Sequence, residues 1–289
     1  MTWEYQHLKR QLGLPGDPLL DLFERFCERA HAALDTMEWS WKFSGPQVLA
    51  DRVFWLGAGG HREVTSRHLL WLADALGLRA EGHPGGFEAW KELVRHGTER
   101  ALVAYAGPNP ATGRAPVIKI YLTLDPRWVI DRPALARLPG GLVDGLAVPA
   151  STGVLRCQTF EFGGGEASRI YLLVSESCND DPATAALMTA LAGPRGAALA
   201  RLQPRAGVAF KADGTDMLGL ALRATGADGP HPAHVLSPVL VPLLAAATRH
   251  DALYERLDRV TWVTVPLDEE SLRLPRELRE MNVYVRLCQ

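Results

Sequence analysis

Pairs of short alternating segments recur along the chain and constrain its fold more than any other feature. Apolar and polar side chains alternate within them with a period of two, which is typical of β-strands with one buried face. Several links carry turn residues, as in "GPNPATGRAP", "GGGEA" and "ADGTD", and such short links favour antiparallel hairpins. We predict hairpins at 37–43 with 52–57, 101–106 with 117–124, 154–162 with 168–175, 207–211 with 217–223, and 260–265 with 281–287.

Helical segments lie between these hairpins. "TSRHLLWLADALG" places leucines and alanine on one stripe and ends at Gly77, a residue that commonly terminates helices. "GGFEAWKELVRHG", "DPATAALMTALAG" and "PLLAAATRHDALYERL" are similar. Ahead of the first hairpin we predict a loop and then one helix, which begins at the Asp17–Pro18 cap. The unit of two strands and one or two helices repeats roughly every 50 to 65 residues.

The alternation gives the strands two chemically different faces. One face is apolar and suits packing against helices. The other carries Glu38, Lys42, Lys119, Tyr121, Arg169 and Tyr171. An open sheet would leave two edges to protect, and propeller blades would need four strands without helices. We therefore expect an α+β fold: a closed antiparallel ten-stranded barrel of repeated ββα units, with helices outside and one domain over residues 1–289.

Composition narrows the classes of function. The chain has 289 residues, of which 47% are hydrophobic and 22% charged, and its formal net charge is −2. These values are typical of a globular protein without a nucleic-acid partner. No apolar run is long enough to span a membrane, and the N-terminus has no signal-peptide pattern. The four cysteines lack CxxC spacing, so we expect a reduced cytoplasmic protein.

The polar face suits an allylic diphosphate. Lysine and arginine neutralise phosphate oxygens, and tyrosine hydroxyls donate further hydrogen bonds. Aromatic rings also stabilise the carbocation formed when such a diphosphate ionises. Glu38 could accept the proton that an indole, phenol or other nucleophile loses. The competing interpretation is that each polar face is ordinary surface exposed to solvent. Only the recurrence of the same pattern in three strands favours a binding site instead. No histidine pair indicates a metal centre, and no GxSxG motif indicates a nucleophile.

The order of these residues resembles that of the ABBA-type aromatic prenyltransferases. "EWSWKF" is similar to the strand that carries the catalytic glutamate in fungal indole dimethylallyltransferases. The closer resemblance is to cyanobactin peptide prenyltransferases, whose first hairpin reads Glu-x-Ser-x-Lys and then arginine. Glu38, Ser40, Lys42 and Arg52 match that pattern. "IKIYLTL", "SRIYLLV" and "TWVTV" resemble later strands of the same family.

The resemblance implies a role for each matching residue. Glu38 would be the general base. Diphosphate binding would fall to Arg52, Lys119 and Arg169, with Arg286 as a further ligand. The allyl cation would be shielded by Tyr121, Tyr171 and Tyr284. Phe210 would form the floor that limits prenyl length. Gly219 and Ala221 depart from the pattern, since the family often has tyrosine or a polar residue there.

The resemblance also implies partners. We expect dimethylallyl diphosphate as the donor, with geranyl diphosphate as the alternative that the small residues allow. The acceptor would be an electron-rich side chain in a cyclic or linear peptide, as in ribosomally made natural products. Free tryptophan or a small indole is the first alternative, and a non-catalytic ligand-binding barrel is the second. Magnesium would be held mainly by the diphosphate, and the protein would be a monomer.

Overall fold

The computed structural model describes residues 1–14, 16–44, 47–77, 86–109, 113–124, 155–163, 168–174, 182, 206–211, 217–223, 250–265 and 280–288. Their helices are α1 Trp3–Gln11, α2 Pro18–Arg29, α3 Arg62–Ala75, α4 Gly86–Glu92 and α5 Asp251–Tyr254. Short 3₁₀ turns occupy His31–Ala33, Gly59–His61 and Leu257–Arg259, and Leu93–Gly97 forms a π turn. The strands are β1 Leu34–Ser44, β2 Gln47–Gly57, β3 Thr98–Ala106, β4 Val117–Leu124, β5 Leu155–Phe162, β6 Ser168–Val174, β7 Ala206–Lys211, β8 Met217–Arg223, β9 Val260–Val265 and β10 Glu280–Arg286.

The strands pair in the order in which they occur along the chain. Each predicted hairpin is present, and the first is longer than its alternation indicated because β1 begins at Leu34. Every neighbouring pair is antiparallel, as the short links require. The strand β1 pairs with both β2 and β10, so the strand order is a closed ring, β1-β10-β9-β8-β7-β6-β5-β4-β3-β2. The predicted antiparallel sheet with helices is confirmed.

The prediction of a loop ahead of α2 was wrong, because residues Trp3–Gln11 form a helix. The Thr2 hydroxyl caps its N-terminus by accepting a hydrogen bond from the Tyr5 backbone N–H at 3.2 Å. Tyr5 and Leu8 are fully buried. The Tyr5 ring lies 5.7 Å from that of Trp39 on β1. Packing against the sheet therefore stabilises a helix whose own sequence is strongly polar.

The helices cover the apolar face of the sheet. Phe26 of α2 contacts Trp55 edge-on at 5.0 Å between ring centroids, and Trp90 of α4 contacts Phe160 at 4.9 Å. Trp39, Trp41, Ile118, Ile120 and Leu122, which we had placed on this face, are fully buried. Burial of each such side chain is worth about 1.5–3 kcal/mol. The core thus lies between the sheet and the helices, and the opposite face carries the polar residues.

A group of ion pairs joins the two ends of the described chain. Glu4 of α1 accepts hydrogen bonds from Arg256 and Arg259, each at 2.8 Å, and from the backbone N–H of Cys288. Burial alone would raise the pKa of Glu4, but these donors outweigh it and hold the pKa at about 2. Because Arg259 directly precedes β9, the ion pairs also fix the start of that strand against β10.

Other predictions are tested only in part. Among the described residues, Cys27, Cys157 and Cys288 are free thiols, and Cys178 lies outside those residues. The helix predicted in "DPATAALMTALAG" lies outside them too, apart from Pro182. In the ranges given above, no helix has the length and apolar character needed to cross a bilayer.

Candidate active site in the barrel lumen

Side chains that face the lumen can be traced from strand to strand by their register. Glu38 of β1 lies opposite Phe54 of β2, which lies opposite Ala104 of β3. Ala104 in turn faces Lys119 of β4, and Lys119 faces Glu161 of β5. Directly paired residues of an antiparallel sheet point to the same side. This row therefore lies on the face opposite the buried tryptophans Trp39 and Trp55.

Glu38 is a buried carboxylate on this wall. It is 4% exposed, and its Oε1 accepts a hydrogen bond of 2.7 Å from the Thr261 hydroxyl of β9. Arg286 of β10 is its cross-strand partner on the other side. Burial raises the pKa of Glu38, while the Thr261 hydrogen bond and the charge of Arg286 oppose that effect. A carboxyl group with a raised pKa is suited to accept a proton near neutral pH.

Aromatic rings adjoin this carboxylate. The Phe54 ring, 3% exposed, lies 5.2 Å from the ring of Tyr284 in an edge-on arrangement. It also lies 6.4 Å from the ring of Tyr121. Phe54 thus connects two of the tyrosines predicted to shield the cation, and it is the cross-strand partner of Glu38. We call Phe54, Tyr121 and Tyr284 the aromatic cluster. Its ring faces can stabilise a cation and exclude water.

Lys119 contacts an acidic partner that the sequence analysis did not name. Its ammonium donates a hydrogen bond to Oε1 of Glu161 across β4 and β5. The two side chains are 7% and 10% exposed, so the pair is largely shielded from solvent. Lys119 lies three strands from Glu38, about 14 Å along the wall at the usual spacing of 4.7–4.9 Å between strands. An anion that binds Lys119 would therefore compete with Glu161.

The two other predicted cations with described side chains lie on either side of β1. Arg52 of β2 is half-buried and faces Ser40, and Arg286 of β10 is exposed and faces Glu38. Burial raises the pKa of Asp51, and the positive charge of Arg52 partly offsets that rise. Both arginines therefore lie next to carboxylates. The positive charges of Arg52 and Arg286 are therefore partly neutralised by Asp51 and Glu38.

Three predicted site residues are described by their backbone alone. Arg169 and Tyr171 are in β6, where Arg169 pairs with Thr159 and Lys211, and Tyr171 pairs with Cys157 and Ala209. Phe210 is in β7, opposite Ile170 of β6. Their side chains lie outside the described part of the chain, so their predicted roles stay predictions. Arg169 is nevertheless on β6, which neighbours β5, the strand that carries Glu161.

Two polar side chains of the wall have no hydrogen-bond partner among the described residues. The hydroxyls of Ser40 and Thr159 are buried, each residue being 1% exposed, and the structure gives them no partner. Ser40 lies between Arg52 and Tyr284 in register, and Thr159 pairs with Tyr121. Buried polar groups are nearly always satisfied. A polar ligand in the lumen could satisfy these hydroxyls.

The acidic side chains of the site are candidate metal ligands. Within the described ranges, no group of three or more His, Cys, Asp or Glu side chains could hold an ion. Glu161 pairs with Lys119, and Glu38 lies beside the aromatic cluster. Hard cations such as Mg²⁺ require several oxygen ligands. These side chains therefore do not fit a magnesium site made by the protein itself.

Three residues of the site, Phe54, Glu161 and Thr261, were not predicted from the sequence. Phe54 follows Arg52 at a spacing of two and Glu161 belongs to the alternating segment "TFEF", so strand periodicity could have placed both on the lumen face. Thr261 could not have been found in that way. Its position depends on an irregular register between β9 and β10.

Comparison with solved structures identifies the fold. The 5-dimethylallyltryptophan synthase of Streptomyces coelicolor matches with a TM-score of 0.54 and 14% identity, over 96% of this chain and 93% of that one. Its complex with DMASPP and Trp matches with a TM-score of 0.55 at 14% identity, over 96% of this chain and 91% of that one. PriB in a binary complex with product diphosphate matches with a TM-score of 0.50 at 15% identity, over 96% of this chain and 92% of that one. No protein-family model and no curated sequence matches the chain. The resemblance to ABBA-type prenyltransferases is confirmed at the level of the fold.

Proposed function

We propose that the chain is an enzyme that transfers a dimethylallyl group from its diphosphate to an electron-rich aromatic acceptor. One observation carries the proposal: the buried Glu38 carboxylate faces Phe54 across β1 and β2, and Phe54 contacts both Tyr284 and Tyr121. A base thus adjoins a set of rings on one wall of the lumen. The fold supports the proposal, since it is shared with a synthase bound to DMASPP and Trp.

Each element of the site has a role in the proposed reaction. The C1–O bond of the allylic diphosphate breaks, and its electron pair leaves with the diphosphate. The aromatic cluster stabilises the allyl cation and keeps water from it. The acceptor's π electrons form the new bond to the allyl group, and the acceptor then loses a proton to Glu38. Arg52, Lys119, Arg169 and Arg286 are the proposed cations for the diphosphate.

Magnesium is proposed only as a companion of the diphosphate. The described side chains do not supply a ligand set, so the ion would be bound through phosphate oxygens and water. Its contribution would be to neutralise the leaving group's charge. No step assigned to the protein above depends on it.

The acceptor has two candidate classes. We propose an aromatic side chain within a peptide, because the spacing of Glu38, Ser40, Lys42 and Arg52 resembles that of peptide prenyltransferases. Free tryptophan is the second candidate, and the structure with DMASPP and Trp favours it. Dimethylallyl is the proposed donor group, with geranyl as its alternative. A non-catalytic barrel that only binds such ligands is the remaining alternative.

Incubation of the purified protein with dimethylallyl or geranyl diphosphate and a panel of acceptors would test the proposal. The panel should contain free tryptophan, free tyrosine, and linear and cyclic peptides with one aromatic residue each, with and without Mg²⁺. Mass spectrometry should show an acceptor that gains one prenyl group. If dimethylallyl diphosphate binds but no acceptor in the panel is modified, the binding-only alternative replaces the enzyme.

A further inference from the structure

Thr261 reaches Glu38 because the register of β9 and β10 is irregular. Val260 pairs with Val285 and Trp262 pairs with Tyr284, so Thr261 has no partner across the ladder. Such a bulge redirects a side chain, and bulges are frequent next to active sites. Thr261 is 6% exposed, and its hydroxyl lies 2.7 Å from Oε1 of Glu38.

The same hydroxyl has a second acceptor within reach. Its Oγ1 lies 3.2 Å from the backbone carbonyl oxygen of Tyr284. A threonine hydroxyl carries one proton and two lone pairs, and the proton rotates to suit its partners. It can therefore donate to Glu38 or to the Tyr284 carbonyl, but not fully to both. When it donates to the carbonyl, its lone pairs are available to a donor on Glu38.

We propose that Thr261 is the positioning residue of Glu38 and holds this side chain in both its ionised and its protonated form. Toward the carboxylate, Thr261 acts as a hydrogen-bond donor. Toward a carboxyl protonated at Oε1, it acts as an acceptor while its own proton turns to the Tyr284 carbonyl. This inference rests on the proposed function, in which Glu38 accepts the proton of the acceptor.

The proton is accounted for at each stage. The acceptor's C–H, N–H or O–H bond breaks, its electron pair stays with the acceptor, and the proton binds a carboxylate oxygen of Glu38. Thr261 neither gains nor loses a proton, since only the direction of its O–H changes. The allyl cation is consumed by the new bond, and the diphosphate leaves with the electrons of the broken C–O bond. No oxidant or further reactant is needed.

The neighbours of Glu38 determine how its titration responds to Thr261. Thr261 approaches from β9, the charged Arg286 from β10, and the apolar Phe54 from β2. Burial raises the pKa of Glu38, and Thr261 and Arg286 both lower it. The hydrogen bond that Thr261 donates to the ionised carboxylate is stronger than the one it accepts from the neutral carboxyl, so loss of the Thr261 hydroxyl raises the pKa further. The base is then protonated over a wider range of pH, and the acidic limb of the rate profile moves to higher pH.

The test compares Thr261→Val and Thr261→Ala, which lose the hydroxyl, with Thr261→Ser, which keeps it. Having two hydroxyl-free variants allows a comparison even when one of them does not fold. Thr264→Val is the matched control, because it removes another threonine hydroxyl of β9, whose partner is Asn282 rather than Glu38. The Thr264 hydroxyl accepts a hydrogen bond of 2.8 Å from the Asn282 side-chain amide. Glu38 titration is followed by carboxyl infrared bands, assigned by their loss in Glu38→Gln.

We expect both hydroxyl-free variants to titrate Glu38 at higher pH than wild type, and Thr261→Ser and Thr264→Val to titrate it as wild type does. With an acceptor that is turned over, kcat at neutral pH should fall about 10-fold in the hydroxyl-free variants and stay near the wild-type value in Thr261→Ser. An unchanged Glu38 titration in both hydroxyl-free variants would overturn the inference. The infrared titration needs no turnover, so it tests the interaction of Thr261 with Glu38 even when no acceptor is prenylated. Failure of the proposed reaction is recognised separately, by the absence of turnover.

Discussion

Glu161 accepts a hydrogen bond from the Lys119 ammonium across β4 and β5, and both side chains are at most 10% exposed. This pair changes how a cation on the lumen wall can be used. Lys119 alone would be an obvious ligand for a phosphate. With Glu161 beside it, the local charge is close to neutral, and a diphosphate must compete with a carboxylate already in place.

The pair leads to a prediction for Glu161→Gln. This substitution removes the competing charge and keeps an oxygen that can accept from Lys119. Diphosphate should bind about 10-fold more tightly, since one nearby like charge in a partly shielded site is worth on the order of 1.4 kcal/mol. Isothermal titration with inorganic diphosphate measures the change.

Lys119→Met provides the control for this prediction. It should weaken diphosphate binding, and the double variant with Glu161→Gln should bind diphosphate less tightly than Glu161→Gln alone, because the positive charge of the lysine is missing. Equal or weaker binding by Glu161→Gln would show that Lys119 does not hold the diphosphate.

Glu38→Gln should stabilise the protein at neutral pH. Burial raises the pKa of Glu38 above its ordinary value of 4.5. Folding therefore favours the protonated form: this contribution to stability is fully present below pH 4.5 and is lost as pH rises through the raised pKa. Glutamine resembles the protonated form at every pH. The Tm should rise by about 2–4 °C at pH 7.5 and equal that of wild type near pH 4, as measured by calorimetry at both values. A lower Tm at pH 7.5 would contradict the burial of a charged carboxylate.

The aromatic cluster should protect the cation through its ring faces. Tyr284→Phe keeps a ring beside Phe54, whereas Tyr284→Leu leaves a smaller apolar side chain without a ring. We expect the ratio of prenylated acceptor to prenyl alcohol to fall about 2- to 30-fold in Tyr284→Leu, the range that a loss of about 0.5–2 kcal/mol of cation–π stabilisation gives. The ratio should change little in the phenylalanine variant. Chromatography of both products measures this ratio, and equal ratios in both variants would argue against a role for the ring.

The hairpins could be predicted because their information is local. "VIKIYLTL" alternates over its whole length and is bounded by turn residues, and it coincides with β4 Val117–Leu124. The helix α1 could not be predicted in the same way. It buries only Glu4, Tyr5 and Leu8, and its large apolar Trp3 is 75% exposed. Contact with Trp39 stabilises α1, and that contact joins distant parts of the chain.

The same distinction applies to the candidate site. Strand alternation alone placed Glu38 and Tyr121 on the polar face, because the direction of a side chain follows from its own strand. Tyr284 was found through the family resemblance. The contacts of Lys119 with Glu161 and of Glu38 with Thr261 depend on register between strands that lie 42 and 223 residues apart. The sequence of a single strand carries no information about this register.

The central claim is that Glu38 is the base on the wall of a lumen that binds an allylic diphosphate. Its most direct test compares wild type with Glu38→Gln in two measurements on the same preparations. The first is titration with dimethylallyl diphosphate, and the second is transfer to an acceptor under single-turnover conditions, followed by mass spectrometry. We expect Glu38→Gln to bind the diphosphate at least as tightly as wild type, because it removes a negative charge beside Arg286. We expect its transfer rate to be about 10²- to 10⁴-fold lower. Equal transfer rates would contradict the central claim, and so would loss of diphosphate binding on substitution of Glu38.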